Sequence, residues 1–341
     1  MIPPAWTDVW ICPRADGHIQ AVGRDARGRR QYRYHAGFRA RRDRGKFARI
    51  VRFAERLPRI RRRVREDLRR PGLPREKVLA AVVTLLEVTR LRVGSPQYAR
   101  LNRSFGLSTL HDRHARVTGT TVRFRFRGKG GRTEERELVD RRLAALVRRC
   151  QELPGQDLFQ YVDDEGSTRA VRSEDVNDYL RDAAGSDDLS AKDFRTWTAT
   201  VLAFEALRQV TAEDDAAVAE DDAAVAEAGD SAKAAGATRR RRRRNPIVEA
   251  LRRTADELGD TIAVTRSAYV HPGVLEAFDG DGAPPSGGGR AGPRDLDGPP
   301  DRRTELVVIA LLRRADRATR AAKRLQVARA AVAGRARRRR A

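Results

Sequence analysis

The chain has little of what metal centres, disulfide frameworks and membrane anchors are made from. Its two cysteines, Cys12 and Cys150, lie far apart, and its five histidines, His18, His35, His111, His114 and His271, show no Cys/His ligand spacing. His111 and His114 stand at i and i+3, but Asp112 and Arg113 between them read as a polar helix face or turn. With so little cysteine and no secretory segment at its start, the chain is expected in a reducing cytoplasm. No apolar run approaches the ~20 residues a membrane-spanning helix needs. Leu306 to Leu312 is short and flanked by charge. There is no GxxxxGK[ST] phosphate loop and no carboxylate cluster spaced for a metal, so neither a cofactor nor a metal is expected. Lysine is scarce as well, occurring only at 46, 77, 129, 192, 233 and 323.

Arginine is what the chain has instead. Lys and Arg number 71 against 47 Asp and Glu, a formal charge of +24 on 341 residues, and that balance calls for a polyanionic partner, of which nucleic acid is the commonest. A GC-rich genome would favour arginine codons, but codon bias does not remove the charge. Hydrophobic residues, at 40%, suffice for a sizeable core, and the length suggests two domains with tails.

The N-terminal stretch, with Val9-Trp10-Ile11-Cys12 and Gly17 to Val22 between turn residues, reads as a small β-rich module. Beyond it, Gln31, Tyr32 and Tyr34 set a donor and two aromatics on an extended segment, with the tyrosines on one face at period two. Either a DNA-groove reader or an ordinary amphipathic edge strand fits. Helical spacing follows from Lys46 to Arg70, is interrupted by Pro71-Gly72-Leu73-Pro74, and resumes from about Arg75 to Arg90 with Val78, Leu79, Val82, Val83, Leu85 and Leu86 buried. Val122, Phe124 and Phe126 alternate with Arg123, Arg125 and Arg127 ahead of Gly128-Lys129-Gly130-Gly131, which places Lys129 at the tip of a β-hairpin. Helices are predicted at Asp140 to Leu153, at Ser173 to Ala183 with Ser173 as a cap, at Ala191 to Leu207, and at Pro246 to Leu258. The repeated AEDDAAV from Ala212 to Glu227 and the six arginines Arg239 to Arg244 read as a flexible or weakly helical insertion, within about 210–244. Past Gly280 the composition is that of a disordered linker, then a short helix at Leu306 to Arg313 and a basic tail resembling a nonspecific DNA-binding segment. The expected organisation is an N-terminal domain and linker helix at 1–72, a catalytic domain at 73–280, and a linker with basic tail at 281–341.

Four residues are candidates for chemistry on a phosphate. Arg92 and Arg195 stand in settings suited to holding an anion; Arg195, near a helix start, is a poor match for the helix dipole unless an anion is bound nearby. Lys129 is the lone lysine in its stretch, and lysine as a residue type can give up a proton where arginine cannot. Tyr269, in Arg266 to Pro272, sits beside a cation and before a His-Pro step.

Arg92 in LRVG, Lys129 in FRFRGKGG, Arg195 in KDFRTW and Tyr269 in RSAYVHP, with SFGLSTL and LPGQDLFQY nearby, occur in one order that resembles the type IB DNA topoisomerases, most closely the compact bacterial relatives of the poxvirus enzyme. The resemblance covers most of residues 1 to 280. It implies an α+β fold in which a small β-rich N-terminal domain and a larger, mainly helical catalytic domain close as a C-shaped clamp on double-stranded DNA, acting as a monomer without ATP or metal. By the same resemblance Tyr269 is the nucleophile that forms a 3′-phosphotyrosyl link, Arg92 and Arg195 clamp the nonbridging oxygens, and Lys129 protonates the departing 5′ oxygen. Gln31, Tyr32 and Tyr34 match groove-reading positions, and Lys192 a backbone contact.

Three departures stand out. Asp260 lies nine residues before Tyr269, where the family carries His or Asn; an ionised Asp accepts hydrogen bonds only and repels a phosphate. The start of the chain lacks several strands the family has, so the N-terminal domain looks truncated. The acidic repeat and basic tail have no family counterpart. The nearest rivals are a tyrosine recombinase, which usually carries His three residues before its second Arg where this chain has Lys192, and a DNA-binding relative impaired by Asp260.

Overall fold

The computed structural model describes residues 2–26, 28–227, 245–279, 300–318 and 321. The chain divides into two compact units, Met1–Ile50 and Val51–Ala341. In the first, β1 (Thr7–Ile11), β2 (Ile19–Arg24) and β3 (Arg30–Tyr34) form an antiparallel sheet in sequence order. The strand period of two puts Tyr32 and Tyr34 on one face, their rings stacked with centroids 6.2 Å apart. Helix α1 (Ala36–Asp67) starts at Ala36 rather than Lys46, because Arg39 to Arg44 is helical without an apolar periodicity to announce it.

The second unit is organised on one helix, and the first half of another, that have almost no polar side. In α2 (Arg75–Thr89) every residue from Val78 to Val83 is buried, as are Leu85 and Leu86. Such a helix lies inside, not on a surface, and each of its large aliphatic side chains contributes about 1.5–3 kcal/mol by leaving water. The short α3 (Pro96–Asn102) follows, then β4 (Ala115–Thr118), β5 (Thr121–Arg127) and β6 (Thr133–Val139), an antiparallel meander. The alternation in β5 is as strict as its sequence: Val122, Phe124 and Phe126 are buried, while Arg123, Arg125 and Arg127 are exposed. Amphipathic α4 (Arg141–Gln151) is capped by Asp140, whose carboxylate accepts from the N–H groups of Arg142 and Leu143. The two-stranded β7 (Gln160–Val162) and β8 (Thr168–Ala170) lead to α5 (Ser173–Ala184). Ser173 is not its cap. Arg172 holds that place, its N–H donating to Asp175, while the Ser173 hydroxyl turns to Glu174.

The second inner helix is α6 (Ala191–Glu227), in which Trp197, Phe194 and Phe204 are fully buried. It does not stop near Leu207. The acidic repeat continues it to Glu227, alanine and glutamate being good helix formers, and Glu213 pairs with Arg253 at 2.8 Å. Residues 228–244, including the six arginines, lie outside the described residues, as do the linker at 280–299 and the basic tail. Helix α7 (Pro246–Leu258) has Asn245 as cap and Gly259 as its left-handed terminator at φ 62°. Then α8 (Ile262–Val264) runs into a π-helical turn, Thr265–Tyr269, and α9 (Pro272–Glu276) follows with His271 as its cap. A final helix, α10 (302–318), extends beyond the predicted 306–313. The fold is thus mostly helical with small antiparallel sheets, an α+β arrangement. Among the described residues no helix is long and apolar enough to cross a membrane.

Candidate active site

Arg92 stands where α2 has just ended. Arg90 closes that helix in the left-handed conformation, φ 60°, and the chain then runs extended beside Gly106 and Leu107. The Leu107 N–H donates to the Arg92 carbonyl at 2.9 Å and the Ser108 N–H to that of Val93 at 2.7 Å. This approach needs Gly106, since a Cβ there would stand 2.6 Å from the Arg92 carbonyl oxygen. The LRVG and SFGL stretches are therefore one structural device that fixes Arg92.

Lys129 lies on the turn between β5 and β6, whose last pair is Arg127 with Thr133. Gly130 and Gly131 take φ 77° and 80°, which shape the tip. A Cβ on Gly128 would meet Glu134 Cγ at 2.4 Å, because the nearly buried Glu134 side chain passes against it. Glu134 faces Arg92 and Arg136, each at 3.7 Å. The Lys129 side chain is exposed and has no carboxylate partner among the described residues.

Arg195 lies in the second turn of α6 with its side chain 7% exposed. Its conflict with the dipole of its own helix is met by the ends of two others. Nη1 donates to the carbonyl of Arg90, the cap of α2, and Nη2 to the carbonyl of Leu258, the last residue of α7. Carbonyls at helix C-termini lack intrahelical partners and carry partial negative charge, so a cation is stabilised there. Arg195 Nε is buried without a hydrogen-bond partner among the described residues, which leaves one donor unused.

Asp260 follows the Gly259 terminator, its N–H donating to the Ala255 carbonyl at 3.0 Å. Its carboxylate lies between the two arginines. Arg92 Nη2 donates to both oxygens at 2.9 and 2.8 Å, and Arg195 Nη2 to Oδ2 at 2.6 Å. These are charge-assisted distances. They hold an acid at a helix C-terminus, a position its charge alone would disfavour.

Tyr269 closes the π turn and is 6% exposed, with the Arg195 guanidinium 5.2 Å from its ring centroid. Burial alone would push its phenol up. Arg92 and Arg195, with a smaller contribution from Lys129, outweigh that burial and the opposing charge of Asp260, and leave the phenol below its ordinary value. Arg92, Arg195, Asp260 and Lys129, the other four residues singled out for chemistry, therefore all bear on Tyr269. The Tyr269 backbone is held by Thr200 of α6, whose hydroxyl contacts the Tyr269 carbonyl at 3.2 Å and accepts from the His271 N–H at 3.2 Å.

The other predicted positions are not members of this cluster. Lys192 is exposed on the first turn of α6. Gln31, Tyr32 and Tyr34 belong to β3 of the first unit, where the Gln31 amide donates to Asp25 at 2.9 Å and Tyr32 is exposed. Sequence reasoning missed Glu134, Thr200 and Glu305. Glu305 of α10 is fully buried and accepts from Trp197 Nε1 at 3.1 Å and from Arg61 at 2.8 Å. A glutamate three positions past the tip glycines and a threonine five past Arg195 give no signal without the fold.

Comparison with known proteins places this cluster in context. A family model described as eukaryotic DNA topoisomerase I, catalytic core, matches residues 35–265, and one described as bacterial DNA topoisomerase IB, N-terminal domain, matches residues 1–25. The chain is also 29% identical over 281 residues to the DNA topoisomerase 1B of Acanthamoeba polyphaga mimivirus, covering 81% of this chain and 77% of that one. The catalytic-core match includes Arg92, Lys129, Arg195 and Asp260 and ends just short of Tyr269. With more than half of its length matched to that catalytic core, the chain belongs to the type IB DNA topoisomerase family.

Proposed function

We propose that the chain relaxes supercoiled double-stranded DNA by transient cleavage of one strand, with Tyr269 as the nucleophile. The observation that carries this reading is the placement of the buried Tyr269 with the Arg195 guanidinium 5.2 Å from its ring centroid and Arg92 joined to Arg195 through Asp260, an arrangement that holds the phenol below its ordinary value. The phenol oxygen forms a bond to phosphorus, giving up its proton to water, while the bond from phosphorus to the 5′ oxygen breaks. Lys129 supplies the proton to that oxygen, a contribution of about 10²- to 10⁴-fold. Arg92 and Arg195 meet the charge on the nonbridging oxygens, each worth roughly 10²- to 10³-fold as a preorganised donor. The product is a 3′-phosphotyrosyl link and a free 5′-hydroxyl strand that swivels and then attacks in reverse. One phosphodiester is exchanged for another, so the cycle needs no ATP, and the three cations leave no step assigned to a metal.

The remaining parts of the reading rest on the family resemblance. The protein acts as a monomer in the cytoplasm, at the nucleoid, and closes on DNA as a C-shaped clamp, with Gln31, Tyr32 and Tyr34 reading the groove and Lys192 touching the backbone. Residues 1–72 serve as the DNA-binding domain and linker helix and 73–280 as the catalytic domain. The test is relaxation of supercoiled plasmid in EDTA without ATP. Relaxation by the wild-type chain and none by Tyr269→Phe supports the proposal; equal relaxation by both removes Tyr269 from the mechanism.

A further inference from the structure

We infer that Asp260 is a built-in competitor for the DNA phosphate: its carboxylate occupies the anion position between Arg92 and Arg195, and DNA gains the two arginines only by displacing it. The inference rests on the reading of those arginines as phosphate ligands. Three features of the geometry lead to it. The carboxylate takes three hydrogen bonds from two guanidinium groups at 2.6 to 2.9 Å, which is how a phosphate with two free oxygens would be held. The position borders solvent on its Arg92 side, the side chains being 23% exposed for Arg92, 11% for Asp260 and 7% for Arg195. The arginines also do not depend on Asp260 alone for their placement. Arg195 keeps two helix-end carbonyls, and Arg92 is fixed through its backbone by Gly106 and Leu107, with Glu134 at 3.7 Å.

This arrangement has a direct chemical consequence. A phosphate cannot share the space between the guanidinium groups with an ionised carboxylate, because the like charges repel and the same donors would be needed twice. Binding the scissile phosphate therefore requires Asp260 to swing away, and every encounter with DNA is opposed by an internal ion pair. Asp260 sets the rate of cleavage and the salt dependence of binding without itself taking part in bond making. The left-handed Gly259 before it and the short α8 after it give the residue a segment on which to turn.

The test uses the full chain, an end-labelled duplex oligonucleotide and the substitution Asp260→Asn, which keeps the shape and removes the charge. In the wild-type background, single-turnover formation of the covalent adduct is expected to be roughly tenfold faster with Asp260→Asn, the scale of one charge-assisted hydrogen bond. In a Tyr269→Phe background, where chemistry is absent, Asp260→Asn is expected to bind the same duplex more tightly. Its plot of log affinity against log salt should be steeper by about one phosphate contact. A merely structural role for Asp260 would not steepen that slope. Unchanged or slower cleavage together with an unchanged salt slope overturns the inference and makes Asp260 a positioning residue for the arginines. If no adduct forms with either protein but the slope steepens, the competition stands and the cleavage reading fails. If neither adduct nor slope change is seen, both fail. Thermal melting of each variant confirms that the proteins compared are folded.

Discussion

Helix α6 carries two clusters built from the same chemistry, and they differ in how fully their charges are matched. On one side Glu305 of α10 is fully buried and accepts from Trp197, from both Nη atoms of Arg61 and from Arg302, while Arg61 also holds Glu87. On the other, two residues earlier along the helix, Arg195 shares Asp260 with Arg92 beside the nucleophile, and Arg92 remains partly exposed. In the first, charges are matched one for one: two arginines, Arg61 and Arg302, face two glutamates, Glu305 and Glu87, with only Glu305 fully buried. The second has a cation surplus, since Arg92 and Arg195 share the one carboxylate of Asp260 beside the Tyr269 ring. Matched charges fix a fold, and cations in excess are available to an anionic substrate.

Substitutions in the two clusters should therefore fail in different ways. The largest effect is expected for Tyr269→Phe, which should abolish the covalent adduct while leaving thermal stability and DNA binding in place; a denaturing gel of protein with labelled DNA checks it. Glu305→Ala comes next. Removing one partner of a buried ion pair costs about 3–5 kcal/mol, so a substantial fall in melting temperature is expected, measured by calorimetry. Arg195→Ala should lower single-turnover cleavage by roughly 10²- to 10³-fold, measured with saturating duplex. Should Glu305→Ala leave stability untouched and Arg195→Ala unfold the protein, the contrast between the clusters would be reversed.

Two smaller effects sharpen the comparison. The Tyr269 phenol is held below its ordinary value, so cleavage should rise with pH and level off below the usual phenol range of about 10. A rate still rising steeply above that range would show that the arginines do not act on the phenol. His114, outside both clusters, is held down to about 4 by burial and by Arg113 and His111. The folded state therefore binds its proton later than the unfolded one. Its contribution to stability is present above about 6.5 and is lost as the pH falls toward 4, a trend that melting curves should show and that His114→Gln should flatten.

The elements were largely legible because their patterns are strong. The period of two in β5, the unbroken apolar runs of α2 and the first half of α6, and Gly128 to Gly131 at the hairpin tip each follow from local chemistry. The candidate cluster was legible as a set of residues, since Arg92, Lys129, Arg195 and Tyr269 were each marked by unusual local context. Their connections were not. That Arg195 answers to the ends of α2 and α7, that Asp260 pairs with both arginines, and that Thr200 holds the Tyr269 backbone are contacts across 63 to 168 residues of sequence, which no periodicity encodes. The extension of α6 into the acidic repeat was hidden for the opposite reason. A low-complexity segment of good helix formers reads equally as solvated coil until it is seen continuing a helix already nucleated by tertiary packing.

The most direct test of the central claim is to quench a reaction with duplex DNA in denaturant and identify the DNA end to which protein is attached. Attachment through a 3′ phosphate on Tyr269, in EDTA and without ATP, is the predicted result. Nicked DNA with no protein attached, protein on a 5′ end, or an adduct that survives Tyr269→Phe would contradict the account.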